Sequence, residues 1–109
     1  MHDNQRKISR LSSILQGLSA DFFKNHTSFK PGIITVTGLD VTPDKSHAIV
    51  WVSLINIDYE LFEKRVVELQ KKLRKYISEN QNFRYTPDIQ IRVDNSSEDI
   101  IKINKLLQE

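Results

Sequence analysis

The chain has 109 residues and a net charge of +2, enough for one domain with one hydrophobic core and no covalent staples. Hydrophobic residues at 39% and charged residues at 28% fit a globular chain rather than a disordered one. Without cysteine there is no disulfide, thiolate metal site or cysteine nucleophile, and no apolar run approaches the ~20 residues of a membrane span; a soluble cytoplasmic protein is expected.

Residues 5 to 24 read as an amphipathic helix. Ile8, Leu11, Leu15, Leu18 and Phe22 recur at spacings of three and four, which lines one helical face, and Asp3 or Asn4 can cap it. Asn25-His26-Thr27-Ser28 and Pro31-Gly32 end the pattern. Residues 33 to 41, IITVTGLDV, are rich in β-branched side chains and read as a strand. Thr42-Pro43-Asp44-Lys45-Ser46 reads as a turn, and 48 to 56 as a second strand. So short a connection predicts an antiparallel hairpin. Ala48, Val50, Val52 and Leu54 share one face of that strand, and Ile49, Trp51, Ser53 and Ile55 the other.

From Asp58, a predicted cap, the helical period returns with Phe62, Val66, Leu69, Leu73 and Ile77 as the buried stripe. Ser78-Glu79-Asn80-Gln81-Asn82 favours a bend, and Thr86-Pro87 closes the segment. Asp88 to Val93 alternates as a half-buried strand, and Ser96 or Ser97 opens a last short helix faced by Ile100, Ile103 and Leu107. The order α-β-β-α-(bend)-β-α predicts a single monomeric α+β domain over residues 1–109, with helices on one face of a small three-stranded sheet. Its core is expected to hold Leu11, Leu15, Leu18, Phe22, Val50, Val52, Phe62, Leu69, Leu73, Ile89 and Ile91.

No catalytic constellation assembles from these residues. His2, His26 and His47 lie apart, each among polar neighbours, and no pair has the spacing of a helical zinc motif. The only glycines are Gly17, Gly32 and Gly38, so a glycine-rich phosphate loop is absent. Asp94 and Glu98, with Asn95-Ser96-Ser97 between them, read as helix capping rather than an acid pair. No catalytic residue, metal ligand or cofactor is expected.

The positive charge, however, is concentrated. At about 100° per residue, Lys64, Lys71 and Lys75 fall on one stripe of the second helix, opposite its apolar face, with Lys72 and Arg74 beside it. Cations near a helix C-terminus also suit the macrodipole, so solvation and anion binding both remain open there. Arg6, Lys7 and Arg10 lie in the first turns of the first helix, where the dipole disfavours them, and an anionic partner accounts for that placement. Trp51, on the face away from the core, either pairs across the strand with Thr35 or Thr37 or stacks a base; the cross-strand pair is the commoner role.

Ile34-Thr35-Val36-Thr37-Gly38-Leu39-Asp40-Val41, then Asp44, Ala48-Ile49-Val50-Trp51-Val52-Ser53, Leu73-Arg74, Phe83-Arg84-Tyr85-Thr86-Pro87-Asp88-Ile89 and Asp94-Asn95-Ser96 occur in an order that resembles the bacterial ribosome-binding factor A family. The resemblance spans nearly the whole chain. It implies a type II K-homology-like fold, α-β-β-α-kink-α-β, and a non-enzymatic assembly factor that binds the small ribosomal subunit, assists late maturation of its rRNA and supports growth in the cold. It also implies a helix kink in place of the GxxG loop of ordinary K-homology domains. The matching positions here are Ser78-Glu79-Asn80, where Asn tolerates a left-handed backbone. RNA contact is then expected from Arg6, Lys7 and Arg10, from Lys64, Lys71, Lys72, Arg74 and Lys75, and from Asn80, Arg84 and Tyr85. The alternative is a small protein-interaction or dimerisation domain, whose charges only solvate it.

Overall fold

The computed structural model describes residues 2–29 and 32–94, with side chains from Arg10 onward. The elements are α1 (His2–Asn25), β1 (Ile33–Val41), β2 (His47–Ile55), α2 (Tyr59–Asn80) and β3 (Asp88–Val93). The expected last helix, with Ser96, Ser97, Ile100, Ile103 and Leu107, lies outside the described residues.

The sheet order is β1-β2-β3, with β2 antiparallel to β1 and parallel to β3. On central β2 the alternation is complete: Ala48, Val50, Val52 and Leu54 are buried while Ile49, Trp51 and Ser53 are half-buried on the opposite face. On β3, Ile89, Ile91 and Val93 are buried in step with them. The two helices cover this one face. Leu15, Phe22 and Phe23 come from α1, and Phe62, Leu69, Leu73 and Ile77 from α2. Leu11 and Leu18, expected in the core, pack against it only partly buried, whereas Phe23 joins it.

β1 keeps its apolar residues inward by breaking register. A bulge between Val36 and Gly38 leaves Thr37 unpaired, so Val36 faces Val52 and Leu39 faces Val50. Strict alternation after Val36 would have turned Gly38 and Asp40 to the core and Leu39 and Val41 to solvent. The bulge also sets Gly38 opposite Trp51 and Asp40 opposite Ile49. The indole Nε1 of Trp51 donates to Asp40 Oδ2 at 2.9 Å. The side-chain partner of Trp51 is therefore Asp40, not the expected Thr35 or Thr37, because Thr35 faces Ser53 and Thr37 is the residue the bulge leaves unpaired.

Asp58 caps α2 as expected: its backbone is extended and its carboxylate accepts from the Glu60 N–H at 3.1 Å. The C-terminal end differs from expectation. The helix continues through Ser78-Glu79-Asn80, the bend begins at Gln81, and no third helix precedes β3 among the described residues. Ile77 is fully buried, Ser78 Oγ donates to Lys75 O at 2.8 Å, and Asn80 Nδ2 donates to Tyr76 O at 2.8 Å. These side chains bond back onto carbonyls of the last turns, and the helix ends at Asn80 rather than kinking into a third helix.

The start of α1 is also corrected. The helix begins at His2, so Asp3 and Asn4 lie inside it and do not cap it. Arg6 then sits beyond the first turn and Arg10 two turns in, where the dipole has faded. The dipole argument for these cations lapses. The side chains of Arg6 and Lys7 lie outside the described residues.

Candidate nucleic-acid interface

The basic half of α2 meets the segment that leads into β3, and the meeting makes a surface. Lys71, Arg74, Lys75 and Ser78 of α2 line a depression of about 320 Å³ with Thr86 on its far side. Lys71 and Lys75 lie one helical turn apart, and Arg74 flanks them on the side facing the 83–87 segment.

These cations are not equivalent. The Arg74 guanidinium donates to the carbonyl oxygens of Thr86 at 3.1 Å and Pro87 at 3.3 Å, and lies 3.5 Å from Asp88 Oδ1. Arg74 thus shapes the far wall, and its charge is largely committed. Lys72 pairs with Glu68 at 3.0 Å, and hydrogen bonding from the lysine holds that carboxyl below its usual range. Lys75 lies 3.9 Å from Glu79. Both are exposed i,i+4 pairs, weak enough for a phosphate to displace. Lys71 makes no ion pair among the described residues. Lys64 is exposed two turns upstream, roughly 10 Å along the helix axis from Lys71, and outside the depression. Asn80 is exposed, but its amide is spent on the helix carbonyl.

A second depression, of about 350 Å³, lies on the other side of the same segment. Leu11 of α1, Phe83 and Pro87 are its more buried lining, and Asp44, Lys45, Arg84 and Tyr85 its exposed rim. Tyr85 is 80% exposed, with the Arg84 guanidinium 5.8 Å from its ring centroid. Arg10, exposed, precedes Leu11 on α1. Beyond the basic cluster of α2, where the sequence places them, Arg84 and Tyr85 meet Leu11 midway along α1, and the fold adds Lys45. That lysine, in the left-handed region at φ 62°, shows in the sequence only as part of a turn. A cation at a hairpin tip is exposed by its position, and that was the available signal; its nearness to Tyr85 is a tertiary fact.

Trp51 and His26 stand apart from this surface, whereas His47 borders it, its Nε2 3.8 Å from Asp88 Oδ2 while Asp88 Oδ1 lies near Arg74. Besides its bond to Asp40, the Trp51 ring lies against Gly38, where an added Cβ would sit 3.9 Å from the indole. His26 tilts against Tyr76 at 4.7 Å between ring centroids, and His47 Nδ1 is 2.7 Å from Ser46 Oγ. Among the described residues no group of three histidines or carboxylates could hold a metal ion, and no helix is long and apolar enough to cross a membrane.

Residues 6–107 match the family model described as ribosome-binding factor A. The chain belongs to that family. A ribosome-binding factor A of Fusobacterium nucleatum is 36% identical over 86 residues, covering 72% of each chain. One from Halothermothrix orenii is 38% identical over 110 residues, covering 96% of this chain and 88% of its own. The fold matches that of a homology model of Thermus thermophilus ribosome binding factor A fitted into the cryo-EM map of a 30S complex, with a TM-score of 0.68 over 80% of this chain and 94% of that one at 15% identity. The three-stranded sheet with its helices is accordingly the α+β, K-homology-like architecture of ribosome-binding factor A.

Proposed function

We propose that this chain is a non-enzymatic assembly factor, acting as a monomeric single domain in the cytoplasm. It binds the small ribosomal subunit through rRNA, assists late rRNA maturation and supports growth in the cold. Membership of the ribosome-binding factor A family carries the reading, and the 30S complex of the Thermus relative names the subunit. The supporting observation in this chain is the depression of Lys71, Arg74 and Lys75 against Thr86, where Lys71, in no ion pair among the described residues, and Lys75, in one exposed pair, can meet phosphates. Without a GxxG clamp, such contacts position the RNA and read few bases.

Sedimentation of the protein with purified small and large subunits over a range of salt tests this reading. Selective pelleting with the small subunit and a steep loss with salt are expected. Neutralising Lys71, Lys72 and Lys75 should flatten the slope of log affinity against log salt by about 2–3 if each meets a phosphate. Equal binding to both subunits overturns the proposal, and salt-insensitive binding favours the protein-interaction alternative.

A further inference from the structure

The second depression has features that phosphate contact alone does not call for. Its interior is apolar, formed by Leu11, Phe83 and the buried Pro87. Its rim carries an aromatic ring that is 80% exposed and a guanidinium near one face of that ring. A guanidinium placed so leaves the opposite ring face open to a planar partner. Its volume of about 350 Å³ lies at the small end of ligand seats, which run from roughly 300 to 1,000 Å³, too small for a helix or a duplex.

The turn that carries Lys45, the other rim cation, is fixed at its backbone. Asp44 Oδ1 accepts from the hydroxyls of Ser46 and Thr42, each at 2.7 Å, and from the Ser46 N–H at 3.1 Å. The Ser46 hydroxyl first, then that of Thr42, lowers the Asp44 carboxyl to about 2. The Lys45 N–H closes the turn on Thr42 O at 2.8 Å. Asp44 therefore braces the turn that carries Lys45. Its own charge offsets one of the two rim cations, Lys45 and Arg84, and leaves the rim net positive.

We infer that this depression seats one unpaired nucleobase of RNA, stacked on Tyr85, with Lys45 and Arg84 meeting the phosphates on either side. Charge complementarity and continuity point to RNA. The segment from Phe83 to Pro87 borders this seat, and its Thr86 lines the lysine depression, so a single strand can pass from one to the other. Aromatic and guanidinium planes are the usual partners of splayed-out bases. The inference rests on the proposed RNA-binding function and adds a base contact to it.

The test uses a single-stranded RNA decanucleotide carrying one 2-aminopurine, a second decanucleotide abasic at that position, and purified small subunits. Wild-type protein should quench the 2-aminopurine on binding. Tyr85→Ala should lose about 5- to 100-fold in affinity for the intact strand, while Tyr85→Phe stays within about twofold. The abasic strand should bind wild type and Tyr85→Ala alike. The thermal midpoint of Tyr85→Ala should match wild type, since the ring is exposed. Tyr85→Ala binding the intact strand as tightly as wild type overturns the base seat, as does failure of the wild type to prefer the intact strand or to bind it at all. Small-subunit sedimentation separates the two readings: salt-dependent binding with no Tyr85 effect removes the base seat and keeps the basic surface, whereas failure of the wild type to bind small subunits removes both.

Discussion

Tyr76 of α2 donates its phenolic hydrogen to Asp21 Oδ2 of α1, tying the two helices together above the sheet. Asn25 Nδ2 donates to the other carboxylate oxygen, and His26 lies over the Tyr76 ring. The Tyr76 bond, then the Asn25 bond, holds the Asp21 carboxyl below its usual 3.8, and donating to that carboxylate raises the phenol above its usual 10.0.

This tie predicts a pH dependence with a definite sign. Asp21 titrates lower when folded, so its contribution is present above pH 3.8 and is lost as pH falls through the folded value. Tyr76 titrates higher when folded, so its contribution is present below pH 10.0 and is lost as pH rises through the folded value. Thermal melts of wild type and Tyr76→Phe across pH 2–11 check this. The variant should show shallower losses at both ends, and matching profiles would reject the tie. Asp44, lowered to about 2 through its own turn, gives both proteins a common acid loss.

Leu69 is 3% exposed in the centre of the α2 stripe. Leu69→Ala should cost roughly 2–5 kcal/mol in chemical denaturation, through lost burial and the cavity left behind. A cost below about half a kcal/mol would mean that the helical phase of α2 is wrong.

Arg74 and Lys71 should separate shape from charge. Arg74→Ala removes the bonds to Thr86 and Pro87 and should destabilise the fold by about 1 kcal/mol, discounted for partial exposure. Arg74→Lys should not restore it, because one ammonium cannot reproduce the guanidinium fork. Lys71→Ala should leave stability within about half a kcal/mol and weaken only salt-dependent binding. Equal stability losses for Arg74→Ala and Lys71→Ala would contradict this division.

Trp51 is bound to Asp40 on the open sheet face, away from the basic surface. Trp51→Phe should lower stability by about 1 kcal/mol and leave small-subunit affinity unchanged within about twofold. A tenfold or greater loss of affinity, with the fold intact by circular dichroism, would place the interface on that face instead.

The sequence by itself determined everything that depends on local period and short-range chemistry. The bounds of β1 and β3, the buried stripe from Phe62 to Ile77, the Asp58 cap and the hairpin between Thr42 and Ser46 all follow from neighbours within a few residues. So does the gathering of Lys71, Arg74 and Lys75 on one stretch of helix. Tertiary structure decided what depends on distant parts of the chain. The parallel pairing of β3 with β2 joins strands separated by a whole helix. Arg74 is a strut because Thr86 and Pro87 return to it, and Lys45 belongs beside Tyr85 because α1, the hairpin and the 83–87 segment converge. The expected kink fell between the two classes. Ser78 and Asn80 favour a break by composition, but with Ile77 held in the core their side chains bond back to the helix they end. Periodicity reports which face of an element is apolar; only packing decides which polar groups find one another, because their partners lie far apart in the chain.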